Sequence, residues 1–212
     1  GDEHYEVYIC GPIRELRKIE VKKDNSVLLM NFIPGMANSL LRCPIEDLTE
    51  TSAKATVLLH GGQQIYSSFA KPIELEAKIK QISAVLRTHI LRTPHNNLIT
   101  QCVRLIYETD GNIRAEALAE EMNVTARYIG KLFETYVGLS PKYCSGIIKL
   151  NEAIRRVMYT KDEYLTNVAA ECGYFDHTHM NKYFRKMVHC SSGEIRKNNF
   201  DGIDYSKVDS FV

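Results

Sequence analysis

The chain has 212 residues, with 27 Lys+Arg against 26 Asp+Glu and a net charge of +1. Its 44% hydrophobic and 25% charged content is ordinary for a globular protein and excludes a wholly disordered or collagen-like chain. The length suits one large or two small domains. A charge of +1 supplies no general attraction for a polyanion, so any such site must gather positive charge locally.

No apolar run approaches the roughly 20 residues that a membrane-spanning helix needs, and no basic n-region with an apolar h-region opens the chain. The six cysteines (Cys10, Cys43, Cys102, Cys144, Cys172, Cys190) are scattered, with no C-x-x-C and no histidine at metal-ligand spacing. Most of them read as buried thiols of a cytoplasmic protein without metal or other cofactor. Gly1 stands where Met would, so the natural N-terminus is expected upstream.

Residues 5–70 read as strand and loop. Glu6 to Cys10 alternates ahead of the Gly11-Pro12 turn. Val27 to Ile33 is apolar and β-branched between Asp24-Asn25 and Pro34-Gly35, which predicts a strand. Met36 to Leu41 suits a short helical turn. Ile45 to Leu58 fits either helix or strand, with Glu46 and Asp47 near a helix start behind Pro44. From Ile73 the period becomes helical, and Leu75, Ile79, Ile82, Leu86 and Ile90 form an apolar stripe. That helix serves either as a packed connector or as a dimerising surface, and it ends before Pro94. A domain boundary is expected at Thr93-Pro94-His95-Asn96, leaving an N-terminal domain over 1–92.

After Asn96 the pattern is helical throughout, with segments near 97–108, 115–122, 126–137, 141–158, 165–172, 177–188 and 193–198. Asp110-Gly111 separates the first two, and Ser140-Pro141 marks a capped start. The fold class expected is therefore α+β: a partial, β-rich N-terminal domain with helices, then an all-α, seven-helix domain over 97–198. Residues 199–212 form a tail.

The helical half contains an internal repeat. Leu118-Ala119-Glu120-Glu121-Met122 answers to Val168-Ala169-Ala170-Glu171-Cys172, and Lys131-Leu132-Phe133 answers to Lys182-Tyr183-Phe184. The offset grows from 50 to 51 between these pairs, so the second copy carries one extra residue in its turn. Each copy reads as helix, tight turn, helix, with caps at Thr125 and Asp176. Ile129, Leu132, Phe133 and Tyr136 face inward in the first copy, and Met180, Tyr183, Phe184 and Met187 do so in the second. The outer faces carry Arg127, Gly130, Lys131 and Glu134, then His177, Thr178, Asn181, Lys182 and Arg185. Residues 176–188 set Lys182, Arg185 and Lys186 against Asp176, a local charge of +2. A polar helix head followed by cations suits base edges in a major groove.

The stretches Asn112 to Tyr143 and Asn167 to Lys197 resemble the C-terminal DNA-binding domain of AraC-type transcriptional regulators. Val168-Ala169, Cys172-Gly173-Tyr174, Phe184-Arg185 and Arg196 carry the match to the family's second motif. The resemblance implies a bacterial, cytoplasmic transcription factor with two helix-turn-helix motifs and a duplex DNA operator as partner. By position it places base reading on Arg127, Gly130 and Lys131, and on His177, Thr178, His179 and Lys182. It makes Pro141 to Met158 a linker helix that sets the motifs about one DNA turn apart, roughly 34 Å. Arg114, Lys142, Arg185 and Lys186 suit phosphate contacts. The chain departs from the family's pattern at His189 (usually Gly), Ser192 (usually Pro), Gly130 (often polar) and Arg114 (often Ser or Thr).

The N-terminal half, through "VYICGP", "NFIPG" and "LLRCPIEDLT", is similar to the later part of a sensor-like domain that often precedes such DNA-binding domains. The earlier strands of that domain have no counterpart here. This half is expected to bind a small-molecule effector or to form a homodimer, and no motif in it names a ligand. No G-x-S-x-G, P-loop or G-x-G-x-x-G motif supports an enzyme. The alternative to a DNA-reading regulator is a protein-interaction module built on a degenerate helix-turn-helix domain. The modest +2 of residues 97–197 fits that alternative.

Overall fold

The structure, a computed structural model, describes residues 5–14, 27–71, 73–90, 97–160 and 162–197. Strand β1 (Tyr8–Cys10) pairs antiparallel with β2 (Ser52–Lys54), Tyr8 opposite Lys54 and Cys10 opposite Ser52. Two 3₁₀ turns, Ala37–Leu40 and Ile45–Leu48, precede β2. Helices α1 (Ala55–Leu58), α2 (Gly62–Phe69) and α3 (Leu75–Ile90) follow it. Ile9, Leu40, Leu48, Ala55, Ile65 and Ile82 close one apolar core around these elements.

Three sequence expectations need correction here. The described N-terminal residues hold two three-residue strands, so the described part of this half is not β-rich. Val27–Ile33 forms no strand, and Val27, Leu29 and Met30 are exposed. Strand propensity reflects packing on a pleated neighbour, and no neighbouring strand pairs with this segment among the described residues. Helix α2 lies where strand and loop were expected. Its apolar residues, Ile65 and Phe69, are one helical turn apart, and a pair is too little to display a period. On α3 the apolar stripe is covered only in part: Ile82 and Leu86 are buried, while Leu75 and Ile79 are exposed.

The helical half runs through α4 (Asn97–Glu108), α5 (Ala115–Glu121), α6 (Ala126–Val137), α7 (Pro141–Tyr159), α8 (Leu165–Glu171), α9 (His177–Val188) and α10 (Ser192–Lys197). Helix α4 ends where Asp110 and Gly111 take left-handed backbone, with φ of 48° and 75°. The expected boundary at 93–96 and the tail 199–212 lie outside the described residues.

Two compact units emerge. The first combines the described residues within 1–13, 20–104 and 115–141, so it includes the helix pair α5–α6. The second takes in those within 14–19, 105–114 and 142–212, with the pair α8–α9. Its core joins Ala153, Ile154 and Val157 of α7 to Val168 and Ala169 of α8, Met180 and Phe184 of α9, and Ile195 of α10. No described helix is long and apolar enough to cross a membrane.

Candidate nucleic-acid interface

The two helix pairs turn by the same hydrogen bonds. In the first, the N–H of Val124 donates to the carbonyl of Ala119 at 2.9 Å, and that of Asn123 to Glu120 at 3.0 Å. In the second, Tyr174 donates to Ala169 at 2.8 Å and Gly173 to Ala170 at 2.9 Å. These bonds satisfy the end of the leading helix and require left-handed backbone at one residue. Asn123 (φ 53°) and Gly173 (φ 71°) provide it. Ala119 and Ala169 are both buried, so small side chains sit at the matching place in each copy.

Each following helix is then capped. The Thr125 hydroxyl accepts from the N–H of Tyr128 at 3.2 Å, and the Asp176 carboxylate from that of His179 at 2.6 Å. The turn bonds stand 50 residues apart and the caps 51, which identifies Phe175 as the extra residue of the second turn. Ile129, Leu132 and Phe133 are buried on α6, with Tyr136 half-buried. Met180, Phe184 and Met187 are buried on α9, with Tyr183 half-buried.

Burial of those faces turns the opposite ones outward. Arg127 and Lys131 are exposed on α6, and Thr178, His179, Lys182, Arg185 and Lys186 on α9. A Cβ added at Gly130 would meet nothing within 4 Å, so Gly130 sits on the open side between Arg127 and Lys131. Tyr128, which the sequence reading did not single out, is also exposed on α6. The N–H of Phe175 donates to Nδ1 of His179 at 3.4 Å, which leaves Nε2 to carry the proton of the neutral ring. The His179 ring also stands edge-on to Tyr174, with centroids 5.8 Å apart.

His177 is placed differently from its neighbours. It is half-buried, and its Nε2 accepts from the Asn181 side-chain amide at 2.9 Å and lies 3.1 Å from the Ser192 hydroxyl. The N–H and O–H of Ser192 both donate to Oδ1 of Asn181, at 2.9 and 2.8 Å. His177 and Asn181, both expected on the outer face, thus clasp α9 to α10. This network occupies the place where the family pattern has Pro in position 192, because Ser supplies an N–H and a hydroxyl that Pro lacks. His189, another departure, adopts φ 58° at the end of α9, the backbone state for which Gly is better suited.

Helix α10 begins with a reciprocal cap. Ser191 donates to the Glu194 carboxylate through its N–H (2.6 Å) and O–H (2.5 Å), and this holds the carboxyl below its usual pKa. The guanidinium of Arg196 donates to the carbonyls of Val157, Glu163 and Thr160, at 3.3, 2.6 and 3.3 Å. Arg196 is thereby consumed in holding the end of α7 and takes no part in the exposed cationic face.

Residues 118–198 match the family described as helix-turn-helix domain, a span that takes in most of α5 and all of α6–α10, and so both helix pairs. The HTH-type transcriptional activator RhaS of Pectobacterium atrosepticum is 26% identical over 130 residues, covering 59% of this chain and 46% of that protein. The RhaS proteins of Salmonella arizonae and Salmonella newport are 28% identical over 82 residues, 39% of this chain and 29% of theirs. The chain therefore spans less than half the length of these curated relatives. No solved structure matches it.

Proposed function

We propose that this chain is a sequence-specific, DNA-binding transcriptional regulator without enzymatic activity. Its α6 and α9 are read as recognition helices for successive major-groove segments of one duplex. The observation that carries this reading is the duplicated turn. Two segments with different side chains repeat the same turn bonds, left-handed residue and cap, and both leave a cationic helix face uncovered. Arg127, Lys131, Thr178, His179 and Lys182 are assigned to base edges, and Arg185 and Lys186 to phosphates. His177 is assigned to support the second helix through its clasp with Asn181 and Ser192.

Control by the N-terminal half is part of the proposal. The Thr49 hydroxyl donates to the carbonyl of Gly138, the left-handed residue that ends α6, at 3.2 Å. The 3₁₀ turn Ile45–Leu48 packs on α6. An effector or a second copy bound to that half has a physical route to the first recognition helix through this contact.

Selection from a random duplex library at about 50 mM salt, followed by mobility shift on the enriched sequences, tests the reading. Two enriched blocks about one helical turn apart are expected. Retention of no duplex at that salt would refute DNA reading and leave the protein-interaction alternative.

A further inference from the structure

The residue that separates the two copies, Phe175, has no packing role in the structure. It is 92% exposed, the most exposed large apolar side chain among the described residues. Its position is nevertheless well defined. Its N–H bonds to His179, the next residue caps α9, and Tyr174 before it is buried in the core of the second unit. Phe175 thus stands at the head of α9, and with Asp176, Thr178, His179 and Lys182 it lines a shallow depression on the second motif. The first copy has no residue at the equivalent place.

The other four residues of that depression are hydrogen-bonding or charged groups suited to base edges and phosphates, and the Asp176 carboxylate is already engaged by the helix N-terminus. An apolar ring among them calls for an apolar feature on the same ligand. A duplex offers one in its major groove: the C5-methyl group of thymine. We infer that Phe175 packs on a thymine methyl at the edge of the segment read by α9. This makes it a specificity residue that reads T beside the base contacted by Lys182. The inference rests on the DNA-reading proposal above.

Deoxyuridine lacks only that methyl, so the test needs no change in the protein. Each thymine of the selected duplex is replaced in turn, and affinities are measured by fluorescence anisotropy for the wild type, Phe175→Ser and Phe175→Leu. One replacement in the α9 segment is expected to weaken wild-type binding about fourfold, the equivalent of one buried methyl group. Phe175→Ser is expected to bind thymine and deoxyuridine duplexes alike, and Phe175→Leu to keep part of the preference. A selected duplex that the wild type binds equally with or without every methyl would overturn the inference alone. So would a Phe175→Ser variant that keeps the preference. Failure to select any duplex would overturn the DNA-reading proposal and this inference with it.

Discussion

Among the exposed cations, position on α9 separates the two kinds of contact proposed for them. Lys182 lies in the depression at the helix head, whereas Arg185 and Lys186 lie in the last turn. Lys182→Ala is expected to cost about 1–3 kcal/mol on the selected duplex and to relax preference at one base pair. Arg185→Ala or Lys186→Ala should weaken all duplexes alike and reduce the slope of log affinity against log salt by about 1. Titrations at several salt concentrations distinguish the two outcomes. Gly130 permits a prediction on stability. Its outward position has room for a side chain, so Gly130→Ala should stabilise the chain by about 0.5–1 kcal/mol in urea denaturation.

The helix-turn-helix element depends on its cap and its left-handed residue. Asp176→Ala removes the acceptor for the His179 N–H and is expected to cost about 1 kcal/mol of stability, measured by chemical denaturation. DNA affinity should fall as well, since the cap sets the start of α9. A side chain at Gly173 is strained, since its φ is 71°, and an added Cβ would displace the Asn112 side chain. The clasp of His177, Asn181 and Ser192 also holds this element. It joins α10 to α9 with polar groups where the family's usual residue would offer only ring atoms, and it draws two polar side chains away from the outer face.

Within the second unit, one carboxylate couples folding to pH. Burial alone would raise the pKa of Glu152, but hydrogen bonds from Arg155 and Arg156, two of them at 2.7 Å from their Nε atoms, hold it below the usual carboxylate value. Arg156 also pairs with Glu171 and so links α7 to α8. A depressed folded-state pKa means that this stabilisation is fully present above the unfolded value of about 4.3 and is lost as pH falls through the folded one. Wild type should therefore be more stable than Glu152→Gln at pH 7, with the two converging as pH falls below about 4. Thermal melts across that range would show the convergence, and a constant gap would show that Glu152 acts through packing. At the level of net charge, 14 basic and 12 acidic residues over 97–197 imply modest general attraction for phosphate. On the proposed DNA-reading function, specificity then rests on a few placed side chains.

The sequence by itself determined the helix periods, the repeat, the caps at Thr125 and Asp176 and the cationic outer faces. Each of these is a local or periodic property that residue chemistry encodes within one or two helical turns. Only the tertiary structure decided which residues of an outer face stay free. His177 and Asn181 are polar and on the expected side, but a third helix reaches them through Ser192. Arg196 is absorbed by carbonyls 33 to 39 residues away in the chain. The N-terminal half was poorly legible for the same reason. Strand formation at Val27–Ile33 would need a partner strand, whereas the helix periods of α4–α10 repeat within single segments. The repeat's offset showed one extra residue in the second turn; that it is Phe175, and exposed, followed only once Tyr174 before it was buried and Asp176 after it was committed to a cap.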